Sequence, residues 1–222
     1  MTNYIADTAR VYGSAQVYDS AQVGGAAQVY DSAQVYDSAR VYDSARVSGT
    51  AQVYGTALVC GAAQVYRAAQ VYRAAQVYGT ALVCGAAQVY GTARVYGAAQ
   101  VGGAALVYGT ARVYGAAQVG GAALVYGAGD IATQGHVAWV DRVGTGHSMT
   151  LHRIRLDGGY GWRINAGCVH FEASSVAEVC DMVRANVASG PAKWADASDD
   201  DRLRWAAQVD AALTYLAAMV EP

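Results

Sequence analysis

Imidazole is the side chain best suited to acid–base work near neutral pH. All four histidines of this chain, His136, His147, His152 and His170, lie after residue 133. The first 134 residues therefore offer no imidazole base. The four cysteines, Cys60, Cys84, Cys168 and Cys180, fit neither a zinc-ligand spacing nor a small disulfide framework. Asp19, Asp31, Asp37 and Asp43 form an acidic girdle early in the chain. A metal site needs converging carboxylates, and the spacing of these four turns Asp31, Asp37 and Asp43 away from one another. They read as a solvated surface that resists aggregation. The richest recognition chemistry is aromatic. Tyr18, Tyr36, Tyr54, Tyr72, Tyr90, Tyr108 and Tyr126 recur every eighteenth residue, and Arg94 and Arg112 repeat at the same interval. Such rings can stack on one another, self-associate, or receive a base, sugar or nucleotide. These nine residues are the candidate binding and interface positions. No residue is assigned a catalytic role.

A shorter rhythm must position that ladder. An aliphatic residue stands at every sixth position from Ile5 through Val11 and Val17 to Val125, Ile131, Val137 and Val143. Two places before it stands Ala, in every hexad from Ala9 to Ala123. Gln, Arg or Leu comes directly before it, and Tyr most often follows. Strand alternation sends Ala and the aliphatic residue inward and the Gln/Arg and Tyr positions outward. Gly or Asp comes next, as a bend with positive φ requires. Arg67 and Arg73 stand at that bend and break the rule, and the sequence offers no reason for them. Three such hexads close one triangular coil, so residues eighteen apart stack about 4.8 Å apart.

The three outward faces differ. One carries the unbroken Tyr ladder beside Gln16, Gln34, Gln52, Gln70 and Gln88, then Leu106 and Leu124. A second, running Tyr12, Tyr30, Ser48, Tyr66, Cys84, Gly102 and Gly120, fades toward its end. The third mixes Gly24, Tyr42, Cys60, Tyr78, Tyr96 and Tyr114 with the Arg94–Arg112 pair. A column of Thr56, Thr92 and Thr110 is interrupted by Ala74 and Ala128, too irregular for an ice-binding array.

The string AQVYDSAQVYDSARVYDSARVSGTAQVYGTALVCGA resembles the hexapeptide-repeat, left-handed parallel β-helix proteins. Tyr departs from the family habit of a small or acidic residue directly after the aliphatic one. The resemblance implies an all-β solenoid, a left-handed parallel β-helix of about eight triangular coils. It also implies homo-oligomers, dimers or trimers. Many members are acyltransferases using coenzyme A, with a histidine base at a subunit boundary and a loop excursion shaping the pocket. The coils here have neither, so a CoA-dependent acyltransferase is the alternative reading. A second branch, the γ-class carbonic anhydrases, holds zinc with three histidines, two of them spaced H-x4-H. His147 and His152 have that spacing and His136 precedes them. In that family the ligands lie on the coils, whereas these histidines fall where the hexad phase fails. Ordinary polar strand positions account for them.

Past Val143 the composition changes. SMTLHRIRL reads as a strand, Asp157-Gly158-Gly159 as a turn and YGWRINAGCVHF as one returning strand. Ser175 and Glu178 form a capping box for a helix over 176–187, which Gly190-Pro191 ends. Ser198, followed by three aspartates, opens a second helix with an apolar stripe of Trp205, Val209, Ala212, Leu213, Leu216 and Val220. The expected organisation is a β-helix over 1–146 and an α+β capping module over 147–222. TLHRIRLDGGYGWRINAGCVHF is similar to a C-terminal module of hexapeptide-repeat proteins from phages and actinobacteria. At the other end a bare first coil is expected to pair with another subunit, or to be covered by its short arm.

A net charge of -2 gives no electrostatic case for nucleic acid or an anionic membrane. No run of 18 apolar residues occurs, and the N-terminus lacks the basic and apolar regions of a signal peptide. The expected setting is the cytoplasm, that of the host cell if the gene is phage-borne. The sequence thus points to a non-catalytic scaffold or binding protein that self-associates. Its Tyr faces would meet a protein or a small-molecule or nucleotide ligand, and no cofactor is expected.

Overall fold

The structure is a computed structural model describing residues 2–143, 147–166, 169–189 and 198–220. The chain divides into two compact units, Met1–Thr133 and Gln134–Pro222.

In the first unit, 22 strands run from β1 (Tyr4–Ile5) to β22 (Asp130–Ile131), each two residues long. Every third strand pairs in parallel, giving one eight-stranded and two seven-stranded sheets. The unit is a parallel β-solenoid of seven turns plus one further strand. The register advances by one eighteen-residue coil, with Gln52 opposite Gln70 and Val53 opposite Val71. Backbone bonds tie each coil to the next: Gln52 N–H donates to Ala69 O at 3.0 Å, Tyr54 N–H to Val71 O at 3.0 Å and Thr56 N–H to Arg73 O at 2.8 Å. A coil too narrow for large side chains explains the composition. The inward Ala and Val residues from Ala21 to Val125 are at most 1% exposed.

The bends are as the pattern demands. Gly55, Gly91 and Gly109 have φ of 73°, 75° and 70°, and Asp31, Asp37 and Asp43 have φ of 62°, 59° and 61°. Arg67 and Arg73 obey the same geometry, at 63° and 60°, despite their side chains. On the first coil, the Asn3 carboxamide donates to the Val17 carbonyl oxygen, so the N-terminal arm reaches over part of that coil.

The expected eight coils are one too many. Val137 and Val143 keep the hexad phase but leave the solenoid, lying in β23 (Val137–Val143). Gly135 still stands two places before Val137, but before Val143 the small residue is replaced by Asp141. Continuing the coil would bury that carboxylate without water. By contacts, the two units divide at Thr133/Gln134.

The second unit is an antiparallel sheet of β23, β24 (His147–Leu156), β25 (Gly159–Ala166) and β26 (Val169–Ala173), in that order. The returning segment is two strands, not one: Ala166 pairs directly with Val169, and Ile164 with Phe171. Helices α1 (Val176–Ala188) and α2 (Asp199–Met219) pack on it. Both caps form as expected. The Ser175 hydroxyl accepts from Glu178 N–H at 3.2 Å, and that of Ser198 from Asp201 N–H at 3.1 Å. The Gly190-Pro191 stop lies outside the described residues. The α2 stripe of Val209, Ala212, Leu213, Leu216 and Val220 is buried with Leu151, Ile164, Val179 and Val183, and Trp205 packs against its margin. Among the described residues no helix is long and apolar enough to cross a membrane.

Candidate functional site

Parallel, in-register stacking places identical side chains one above another at the strand spacing. The seven tyrosines from Tyr18 to Tyr126 follow the strands of one sheet and form six successive stacks. Their ring centroids are 4.8 to 5.1 Å apart and their planes agree within 9°. Beside them runs a ladder of carboxamides. Gln52 Nε2 donates to Gln34 Oε1 at 3.0 Å, Gln70 Nε2 to Gln52 Oε1 at 3.0 Å, and Gln34 Nε2 to Gln16 Oε1 at 3.4 Å. Gln88 closes the row by accepting the Tyr72 hydroxyl at 3.1 Å. Burial within the stack, followed by mutual repulsion and nearby Asp37, raises the Tyr36 phenol. Burial raises those of Tyr54, Tyr72 and Tyr90 too, against the opposing pull of the Arg73 charge. These four phenols therefore stay protonated at physiological pH, and their hydroxyls remain donors.

Around the ladder, polar groups on the bends hold coils together. Asp31, Asp37 and Asp43 accept the backbone N–H of Gly49, Gly55 and Gly61 on the following coil, at 3.0, 2.9 and 3.0 Å. This coil-to-coil clasp is a role the sequence reading missed. The signal was present: each of these Asp residues stands eighteen before a Gly that offers its N–H. Thr56, Thr92 and Thr110 similarly donate to the carbonyls of Arg73, Gly109 and Gly127 at 3.1, 3.0 and 2.7 Å. Arg73 cannot make the Asp clasp. Its guanidinium instead lies over the Tyr90 ring, 5.8 Å from the centroid, a cation–π contact on the ladder's flank.

Arg94 and Arg112 stand in register on another sheet. There they flank the Tyr78–Tyr96–Tyr114 stack, with centroids 4.9 and 5.1 Å apart. The nine candidate residues thus fall on two faces of the solenoid, seven on one and two on the other. The Tyr12–Tyr30 stack belongs to the third. On the mixed face the Tyr42 ring folds over Gly24, where a Cβ would lie 2.6 Å from it, and its hydroxyl donates to Gln22.

The three histidines with described side chains, His136, His152 and His170, have different surroundings. His136 Nε2 lies 3.0 Å from Arg153 Nη1, and the Arg153 guanidinium lies 4.1 Å over the Tyr160 ring. His152 is fully buried, and desolvation lowers its pKa to about 3. His170 lies exposed on β26 opposite Asn165. The His147 side chain lies outside the described residues, as does Cys168. Among the described residues no group of three His, Cys, Asp or Glu could hold a metal. Two apolar hollows lie among the described residues of the second unit. One, of about 530 Å³, is lined by Trp139, Val140, Gln208 and Tyr215; the other, of about 550 Å³, by Trp162, Val176, Cys180 and Arg184. Burial raises the Cys180 thiol, which works against a reactive thiolate.

A sequence model described as the YdcK beta solenoid repeat matches residues 33–49 and 87–103. Both segments lie on the stacked coils. The chain is a repeat β-helix protein. No curated protein and no solved structure matches it. From coil to coil the outward columns change while the inward Ala and Val repeat, so the three faces differ in the side-chain rows just described.

Proposed function

We propose that this protein is a non-catalytic β-helical scaffold that self-associates through its tyrosine–glutamine face. One observation carries the reading: six consecutive ring stacks run beside a hydrogen-bonded amide row on a single seven-stranded sheet. The rings and amides are held by their neighbours before any partner arrives. An ordered surface loses less side-chain entropy on association than a mobile one. Tyr is enriched at protein interfaces because it joins apolar area to a polar tip. Rings and amides in place of charged side chains also spare the cost of burying charge along most of the face.

The test is sedimentation velocity over a concentration series. Tyr72→Ser with Tyr90→Ser removes two adjacent rings from the middle of the face. The double variant is expected to shift the profile toward monomer while the far-UV spectrum stays that of a β-solenoid. An unchanged profile would take this face out of the interface. Acetyl-CoA binding at micromolar strength, measured by calorimetry, would replace the scaffold reading with the acyltransferase one.

A further inference from the structure

The tyrosine–glutamine face has a centre of symmetry in its chemistry. Its glutamines, Gln16, Gln34, Gln52, Gln70 and Gln88, are centred on Gln52, and the row gives way to Leu106 and Leu124. On the adjoining bends the same coils carry Asp19, Asp37, Gly55, Arg73 and Gly91. Asp37 and Arg73 thus stand one coil to either side of Gly55, opposite in charge and both exposed. Their fields on the ladder mirror this arrangement. Asp37 acts on Tyr18, Tyr36 and Tyr54, and Arg73 on Tyr54, Tyr72 and Tyr90.

We propose that the face pairs with the same face of a second copy, antiparallel, about a two-fold axis passing through the Gln52–Gly55 coil, with Asp37 of each copy facing Arg73 of the other. This rests on the self-association reading and adds its orientation and register. A two-fold lying between the faces and across the stacking direction sets each column against its own counterpart and reverses the coil order. Tyr then meets Tyr and Gln meets Gln along five coils, and the Asp37–Arg73 contact forms twice. Gly55 leaves room at the axis. Other arrangements lose the match. Moving the axis to the Tyr72 coil sets Arg73 against Arg73, and like charges oppose docking. A two-fold along the stacking direction keeps coils level, leaving Asp37 and Arg73 two coils, about 10 Å, apart. Five coils span roughly 24 Å, which puts the contact at the small end of specific interfaces and makes the dimer concentration-dependent.

The repeat itself supplies the substitutions that test this. Arg is tolerated at this bend, since Arg67 and Arg73 hold φ of 63° and 60°. Asp is tolerated too, and would clasp the next coil as Asp37 clasps Gly55. The dimer constant is measured by sedimentation at low and high salt for the native chain, Asp37→Arg, Arg73→Asp and the double swap, with far-UV spectra confirming the coils. Each single variant is expected to weaken the dimer about tenfold or more. The double swap is expected to restore it to within about threefold, with the restored affinity falling as salt rises. Single variants without effect, or a double swap that fails to recover, overturn the antiparallel register while self-association stands. A native chain that remains monomeric at every concentration sinks both readings.

Discussion

At the scale of single residues, the bends show two solutions to one backbone demand. A left-handed conformation costs an L-residue about 1–2 kcal/mol. Asp43 offsets it by placing its carboxylate on the Gly61 N–H at 3.0 Å. Asp43→Ala keeps the strain and loses the bond, so a loss of about 1–2 kcal/mol is expected. Asp43→Gly loses the bond but relieves the strain, and should cost about 0.5 kcal/mol. Arg67 has the strain without the clasp, so Arg67→Gly is expected to stabilise by about 0.5 kcal/mol. Urea midpoints of the three variants test that ordering; Asp43→Gly falling below Asp43→Ala would refute the strain, and neither variant losing stability would refute the clasp. In the second unit the residue to follow is His152. Burial lowers its pKa to about 3, against about 6.5 in an unfolded chain. Between those values the unfolded state binds the extra proton, so stability is full above about pH 6.5 and declines as pH falls toward about 3. Unfolding followed by tryptophan fluorescence should show that decline, and His152→Gln should flatten it. An equal slope in both chains would assign the acid sensitivity elsewhere.

At the scale of elements, a two-residue strand has little stability of its own; the stack of coils provides it. That is why the solenoid could be read from Val53, Val71 and Val89 alone, each one coil beyond the last. The periodic sequence encodes a periodic contact, and one coil specifies its neighbours. The same logic misled at Val137 and Val143, where the aliphatic beat persists after its alanine partner has gone. Pairing between β23 and β24, with Trp139 opposite Thr150, is non-periodic and left no comparable mark. The split of the returning segment into β25 and β26 was illegible for the same reason. The Tyr ladder was legible as a face because its rings share a column, but the amide row and the Asp clasp depend on side-chain directions that period alone does not fix. The inward alanine makes the sharpest element-level prediction. Ala69 is fully buried beneath the Tyr–Gln face. Ala69→Leu forces extra methylenes into a closed coil and should cost about 1–3 kcal/mol. By contrast, Ala74→Ser on the exposed bend should change the urea midpoint by less than about 0.5 kcal/mol equivalent. Similar losses at the two positions would contradict the assigned inward direction.

At the scale of the whole molecule, the two units differ in what holds them together. The solenoid is a one-dimensional stack of Ala and Val with nearest-neighbour coil contacts. The α+β unit has one mixed core of Leu151, Ile164, Val179, Leu213 and Leu216. Each unit is compact by itself. The units should therefore unfold in separable steps rather than in one two-state transition. The sequence supplies a probe for each. All four tryptophans lie after residue 133, whereas the tyrosine ladder lies wholly before it. On heating, tryptophan fluorescence should report the α+β transition, and the near-ultraviolet signal of the stacked tyrosines should report loss of the coils. Lowering the pH from 7 to 5 should move the tryptophan transition downward through His152 and leave the tyrosine transition comparatively still, since no histidine lies on the coils. Coincident transitions that shift together with pH would show one cooperative body, and would mean that the break at Thr133 divides contacts without dividing stability.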